Sequence, residues 1–194
     1  NYLALRQGGD LNDTSAFELV NQAAAFTESS VASHKTYTTA DIFVSSDNSQ
    51  AAVRQYGNDL GNALKINIPS QPKDELKIFY EMLQSQDTSK IIELKEIVAI
   101  YKNFIVSLKN IKVPSNYVAL HLEILNDIED MADSVYIMAL VFDDPLQSMQ
   151  SVSAIQTAYE RFAVTINEIR VKIFNESKIV YKQGESGYYL YNRI

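Results

Sequence analysis

The sequence predicts an all-α protein, a mainly antiparallel bundle of four to five helices that ends in a long C-terminal helix. Three observations support this fold class. Apolar residues recur three and four positions apart through most of the chain, which is the period of one helix face. Prolines and capping residues divide these runs into separate helices. With 194 residues, 46% of them hydrophobic, the chain can bury one well-packed core.

The first 39 residues are predicted to form an arm. A short helix begins after Thr14 or Ser15 and ends near Phe26, and a Ser/Thr-rich linker without apolar periodicity follows it. The chain is therefore divided into three parts: an N-terminal arm (residues 1–39), a helical bundle (residues 40–183) and an aromatic C-terminal tail (residues 184–194).

The first bundle helix runs to about Lys65 and contains two glycines, Gly57 and Gly61, one turn apart. Each glycine should cost about 1 kcal/mol relative to alanine in a helix interior. We therefore predict that another backbone approaches the helix closely at these glycines. The alternative is that both lie on an exposed face. The residues expected to point inward are Val53, Tyr56, Leu60 and Leu64.

Two more helices precede the centre of the bundle. Prolines at positions 69 and 72 mark a turn, and Ser70 is the expected N-cap of a short helix that ends near Gln84. The next helix begins at Asp87 or Thr88. Its apolar seam has coiled-coil spacing and consists of Ile91, Leu94, Val98, Tyr101, Ile105 and Leu108.

The segment from His121 to Phe142 is the expected core helix. Its apolar face and a flanking apolar row form a broad stripe, so other helices should cover it on most sides. The short connection at Val113-Pro114 makes it an antiparallel neighbour of the preceding helix. In that arrangement we predict an ion pair between Lys102 and Glu129.

The last helix is predicted to be the longest. Asp144 is its expected N-cap, and Pro145 suits the first helical position. The apolar rhythm of this helix reaches toward Val180, which corresponds to roughly 50 Å at 1.5 Å per residue.

The negative charge of the protein is concentrated in one segment. The chain has a formal net charge of −7, and no basic residue lies between Lys112 and Arg161. Eight acidic residues fall in that interval, so the rest of the chain, with 16 acidic and 17 basic residues, is nearly neutral. This balance argues against nucleic-acid binding, which needs a basic surface. The sequence also lacks cysteine, which excludes disulfides and thiolate chemistry.

Glu123, Asp127 and Asp130 lie along one face of the core helix and are candidate interaction residues. We interpret this face as a solvated surface or as a docking stripe for a basic partner. A Ca²⁺ site is not expected because the looped ligand pattern is missing.

Histidine chemistry is restricted to His34 and His121. Neither follows a glutamate by three positions, so the di-iron motif of ferritin-like bundles is absent. His121 lies on the inward stripe and is interpreted as a structural histidine bonded to a backbone carbonyl or a tyrosine. A ligand, a proton carrier or a pH-sensing group are the alternatives. No nucleophile and base pair is evident, so we expect neither an enzyme nor a cofactor or metal site.

Tyrosines near the C-terminus, Tyr188, Tyr189 and Tyr191, are further candidate interaction residues. They either form an assembly surface or fold back over the end of the bundle.

Several short runs resemble a group of uncharacterised helical proteins from bacteria with reduced genomes. The runs span Arg54 to Gly61 (RQYGNDLG), Val113-Pro114, His121-Leu122 with Leu125-Asn126, and Asp144-Pro145 before Tyr159. The likeness covers about residues 40 to 175. Proteins of that group are predicted to be exported or anchored by one N-terminal segment. The resemblance therefore implies a location outside the cytoplasmic membrane, and it supplies no active site.

These observations favour a non-catalytic interaction or assembly module outside the cytoplasmic membrane, which binds a protein partner or associates with itself. The alternative is an extracellular ligand-sensing four-helix bundle of a bacterial receptor. No run approaches the roughly 20 apolar residues that span a bilayer. Because the chain begins at Asn1, we expect that an upstream segment was removed, and a membrane anchor is one alternative for it.

Overall fold

The computed structural model describes residues 35–68 and 73–192, and these form an all-α bundle with a long C-terminal helix. The predicted fold class is therefore confirmed. The helix and linker predicted before residue 35, including His34, lie outside the described residues. The helices are α1 (Gln50–Asn67), α2 (Glu75–Ser85), α3 (Lys90–Lys109), α4 (Val118–Met138), α5 (Pro145–Ser177) and the short α6 (Tyr189–Asn192).

Helix α4 is the centre of the bundle and packs against both α3 and α5. Lys102 of α3 bonds Glu129 of α4, whereas Leu108, later in α3, bonds the earlier His121. The two helices are therefore antiparallel, as the short connection predicted. The apolar α4 side chains with at most 2% exposure are Ile124, Leu125, Ile128, Met131, Ala132, Val135 and Met138. Burying a large apolar side chain of this kind contributes about 1.5–3 kcal/mol.

Helix α1 also covers the core and contacts both α3 and α5. Its four residues predicted to point inward are all buried: Val53, Tyr56, Leu60 and Leu64. Residues 178–192, which follow α5, pack along α1 and include the fully buried Ile179. The core is thus completed by a segment that comes after the longest helix.

Two short parallel strands were not predicted. Strand β1 (Phe43–Ser45) pairs with β2 (Lys112–Pro114), with Val44 opposite Val113. Three residues are too few to show an alternating pattern, so sequence periodicity gives no signal for them. Pro114 stands at the end of β2, where its missing N–H does not interrupt the ladder.

Capping explains where α5 begins and ends. Asp144 Oδ1 accepts a bond from the backbone N–H of Gln147 at 3.0 Å, and Pro145 is the first helical residue, as predicted. The helix has 33 residues, or about 50 Å, and ends where Lys178 adopts a left-handed conformation with φ 53°. Helix α2 is capped by Asp74, which accepts from Lys77 N at 2.9 Å. The predicted cap, Ser70, lies outside the described residues.

Asp144→Ala should lower the free energy of unfolding by about 1 kcal/mol, because the first turn of α5 loses its cap. The matched control is Asp143→Ala, which removes the neighbouring carboxylate without removing the cap. Urea denaturation of the two variants measures the difference, and equal losses would show that the cap is not the cause.

Candidate functional site

An open groove with a volume of about 490 Å³ lies between α4 and α5. We call it the acidic groove. It contains five carboxylates and one basic side chain. Its lining from α4 is Glu123, Asn126, Asp127 and Asp130, and its lining from α5 is Glu160, Arg161, Val164, Thr165 and Glu168. All three acidic residues singled out on the core helix thus lie in one groove.

The spacing of the side chains explains how the groove forms. Glu123, Asp127 and Asp130 are four and three residues apart, which aligns them along one face of α4. Glu160, Val164 and Glu168 repeat every four residues along α5 in the same way. Because the two helices pack side by side, the two rows become the walls of the groove.

Arg161 joins the two walls. Its Nε donates to Asp127 Oδ1 at 2.7 Å, and its Nη2 donates to Asp130. Asp127 is almost completely buried, with 6% of its side chain exposed. Burial raises the pKa of the Asp127 carboxyl, and the bonded Arg161 opposes that shift. Asp127 Oδ2 is buried and has no hydrogen-bond partner within the described part of the chain.

The interpretation of the acidic face of α4 as a solvated surface is therefore wrong at Asp127. This residue is buried against α5 and paired with Arg161, whereas Glu123 is exposed. The sequence gives no direct signal for this pair, because the two residues are 34 positions apart and periodicity does not fix the register between α4 and α5.

A second ionic cluster lies where α3 meets α4. Lys102 Nζ is 2.6 Å from Glu129 Oε1, which is the pair predicted from the antiparallel arrangement, and 3.6 Å from Asp133 Oδ1. The Tyr37 hydroxyl donates to Glu129 at 3.1 Å. Burial and the nearby Glu129 raise the pKa of Tyr37 to about 12. Since the backbone N–H of Tyr37 also donates to Asn126, the end of the predicted arm at residues 35–39 contacts the bundle.

His121 is fully buried and has a partner on each ring nitrogen. Nε2 lies 3.2 Å from the Leu108 carbonyl, and Nδ1 lies 3.3 Å from the Tyr56 hydroxyl. A neutral ring with its proton on Nε2 satisfies both contacts, donating to Leu108 and accepting from Tyr56. Burial lowers the pKa of His121 to about 4. These contacts match the structural interpretation of this histidine and join α1, α3 and α4.

The glycines of α1 face residues 178–192, which we call the C-terminal segment. A Cβ on Gly61 would lie 2.1 Å from the Ser186 carbonyl oxygen, so a backbone does approach at this position. A Cβ on Gly57 would lie 1.9 Å from the Tyr181 hydroxyl, which is a side-chain contact. Neither glycine is exposed. Both make room for the segment that completes the core.

Other residues of the RQYGNDLG run bind the same segment. Arg54 forms an ion pair with Glu185 at 2.8 Å. Asn58 Oδ1 accepts from the backbone N–H of Gly187 at 2.8 Å. The run therefore has a clear structural task, which is to hold the C-terminal segment.

The terminal tyrosines belong to the C-terminal segment, and two of them pack against the bundle. Tyr189 and Tyr191 are partly buried against the core, whereas Tyr188 is 39% exposed. The Tyr191 hydroxyl donates to the Arg170 carbonyl at 3.4 Å. Between them, Leu190 is only 1% exposed. The tail was predicted either to form an assembly surface or to fold back over the end of the bundle, and its described residues fold back.

A polar cluster that sequence reasoning missed joins α2, α3 and α5. The buried carboxylate of Glu75 accepts from the Tyr101 hydroxyl at 3.3 Å and also from the Tyr159 hydroxyl. Burial raises the pKa of Glu75. Glu75 opens α2, so from the sequence it resembles any acidic residue in a first helical turn. Both tyrosines satisfy the buried carboxylate, and the cluster fixes the position of α2.

Two further properties concern only the described residues. No group of three or more His, Cys, Asp or Glu side chains is arranged to hold a metal ion. None of the described helices combines the length and hydrophobicity that a membrane crossing requires. Comparison of the chain with protein-family models, curated proteins and solved structures gives no match.

Gly61→Ala should lower the free energy of unfolding by about 1–3 kcal/mol, because the new methyl group overlaps the Ser186 backbone. Alanine normally improves an α-helix, so a loss identifies the close contact as its cause. The control is Asn62→Ala at the exposed neighbouring position, which should change stability by less than about 0.5 kcal/mol. Thermal or urea unfolding compares the two, and a stabilised Gly61→Ala variant would refute the contact.

His121 should make the protein less stable in mild acid. Its folded pKa of about 4 lies below the value of about 6.5 expected when unfolded, so the folded state binds fewer protons. The contribution of His121 to stability is therefore complete above about pH 6.5 and is lost as the pH falls toward 4. The expected loss is on the order of 3 kcal/mol.

The comparison variant is His121→Gln, which retains a donor and an acceptor but does not titrate. Urea unfolding from about pH 7 to about pH 4 should show a steeper loss of stability in the unmodified protein than in the variant. Parallel pH profiles would mean that other groups cause the acid sensitivity.

Proposed function

We propose that this protein is a non-catalytic interaction module that binds a basic protein partner through the acidic groove. The observation that carries the proposal is the gathering of five carboxylates from two helices around a single arginine. Such a surface has a negative potential, which attracts basic partners and orients them during approach.

The charge balance of the whole chain supports this choice of surface. Four of the five groove carboxylates, Glu123, Asp127, Asp130 and Glu160, belong to the segment that carries the excess negative charge. The fifth, Glu168, extends the groove along α5. A partner of opposite charge would therefore meet the acidic groove in preference to the rest of the surface.

The terminal tyrosines support the proposal less strongly. Tyr189 and Tyr191 contribute to covering the core, so their rings are only partly available to another molecule. The partner surface is therefore assigned to the acidic groove alone. We also propose that the protein works outside the cytoplasmic membrane, on the resemblance of its short motifs to exported helical proteins.

A ligand-sensing domain is the second candidate, and one observation favours it. A volume of about 490 Å³ lies within the range of small-molecule sites. The ligand would be a small organic cation, given the lining of the groove. A melting temperature that rises with such a cation, but not with a basic peptide, would favour this candidate over the first.

The proposal is tested by removing charge from the groove. The variant Glu123→Gln/Asp130→Asn/Glu160→Gln leaves the buried Asp127–Arg161 pair in place. Calorimetric titration with an octa-arginine peptide at low ionic strength should show about tenfold weaker binding, the equivalent of 1.4 kcal/mol.

The matched control removes three carboxylates elsewhere on the surface, in Glu96→Gln/Asp143→Asn/Glu176→Gln. It has the same net charge as the groove variant, and it should bind the peptide within about twofold of the unmodified protein. If both variants weaken binding equally, the peptide responds only to net charge and the acidic groove is not the docking surface.

A further inference from the structure

The two walls of the acidic groove are held in a fixed register, which limits the shape of a partner. Arg161 bonds Asp127 at 2.7 Å, and the Thr165 hydroxyl donates to Glu123 at 3.5 Å. The helices α4 and α5 are therefore antiparallel along the groove. Because Arg161 bonds Asp130 and Thr165 bonds Glu123, this register places Glu160 toward the Asp130 end of the groove and Glu168 toward the Glu123 end.

This register divides the groove carboxylates between two ends. Glu123 and Glu168 form one end, and Asp130 and Glu160 form the other. Along α4, the seven helical steps from Glu123 to Asp130 span about 10 Å, and along α5 the eight steps from Glu160 to Glu168 span about 12 Å. The acidic ends are thus about two helical turns apart.

The middle of the groove has a different chemistry. Val164 lies between Glu160 and Glu168 on α5 and is 57% exposed, so it offers an apolar contact. The half-exposed guanidinium of Arg161 lies beside it and repels any cation placed there. A ligand that fits the groove therefore has positive charge at both ends and an apolar group between them.

The burial of Asp127 is a separate sign that the groove accepts a cation. Its side chain lines the groove and is 94% buried, as 6% of its surface is exposed. Arg161 bonds only Oδ1, and Oδ2 has no hydrogen-bond partner within the described residues. A buried carboxylate with one bonded oxygen is incompletely compensated, so positive charge at the two ends of the groove, away from the Arg161 guanidinium, is favourable.

We propose that the partner binds as an α-helix with two basic residues at positions i and i+7 and small apolar residues between them on the same face. Positions i and i+7 project from one face about 10 Å apart, which matches the separation of the two acidic ends. This inference rests on the proposed function and adds the pattern by which the acidic groove recognises its partner.

The test compares two helical peptides of identical composition, rich in alanine and glutamine. One carries two arginines at positions i and i+7, and the other carries them at i and i+4 on the same face. NMR titration of the full chain at low ionic strength should show that the i+7 peptide binds about fivefold tighter, because only its arginines reach both acidic ends. Equal affinities would overturn the spacing rule, whereas binding of neither peptide would overturn the proposed function itself.

The variant Glu123→Gln/Glu168→Gln locates the effect. Neither of these residues forms an ion pair within the described part of the chain, and the amide oxygen of a glutamine at position 123 can still accept from Thr165, so the fold should keep its melting temperature. This variant should bind the two peptides equally and more weakly than the unmodified protein does. A preference for the i+7 peptide that survives in the variant would place recognition outside the acidic groove and refute the proposal.

Discussion

The structure depends on one constraint, the need to cover α4 on nearly every side. This helix buries apolar side chains and also three ionisable groups that need polar partners: His121, Asp127 and Glu129. Each group finds its partners on different elements. His121 bonds α1 and the end of α3, Asp127 bonds α5, and Glu129 bonds α3 and the segment before β1. A buried polar group without its partner is costly, so these contacts specify which neighbour lies on which side of α4.

The acidic groove follows from the same packing. Arg161 pairs with Oδ1 of the buried Asp127, and this pair brings the acidic face of α4 against α5. One arginine does not neutralise the five carboxylates of the groove. The surface around the Asp127–Arg161 pair therefore keeps a negative charge. The interaction that holds the long helix in place thus also generates the potential on which the proposed function rests.

The helices could be predicted from sequence because their signals are local. Apolar spacing, the Asp144 cap and the break at Pro114 act within a few residues. The Lys102–Glu129 pair was also accessible, since a short connection fixes the order of two antiparallel helices. The partners of Asp127 and of the α1 glycines could not be predicted from the sequence. The sequence indicates that Gly61 needs space, but contacts between segments more than 120 residues apart leave no periodic signal, so Ser186 could not be identified as the neighbour.

The contact between α1 and the C-terminal segment affects how the protein folds during its synthesis. The groups that lie closest to Gly57 and Gly61 belong to Tyr181 and Ser186, which are synthesised more than 120 residues later. Until residues 178–192 have been made, α1 lacks part of its packing partner, and the bundle cannot close completely. Domains with such long-range closure fold slowly and expose apolar surface for longer. The nascent chain therefore exposes part of the α1 surface during the synthesis of the four helices that follow it, and this surface becomes covered only when the segment after α5 has been made.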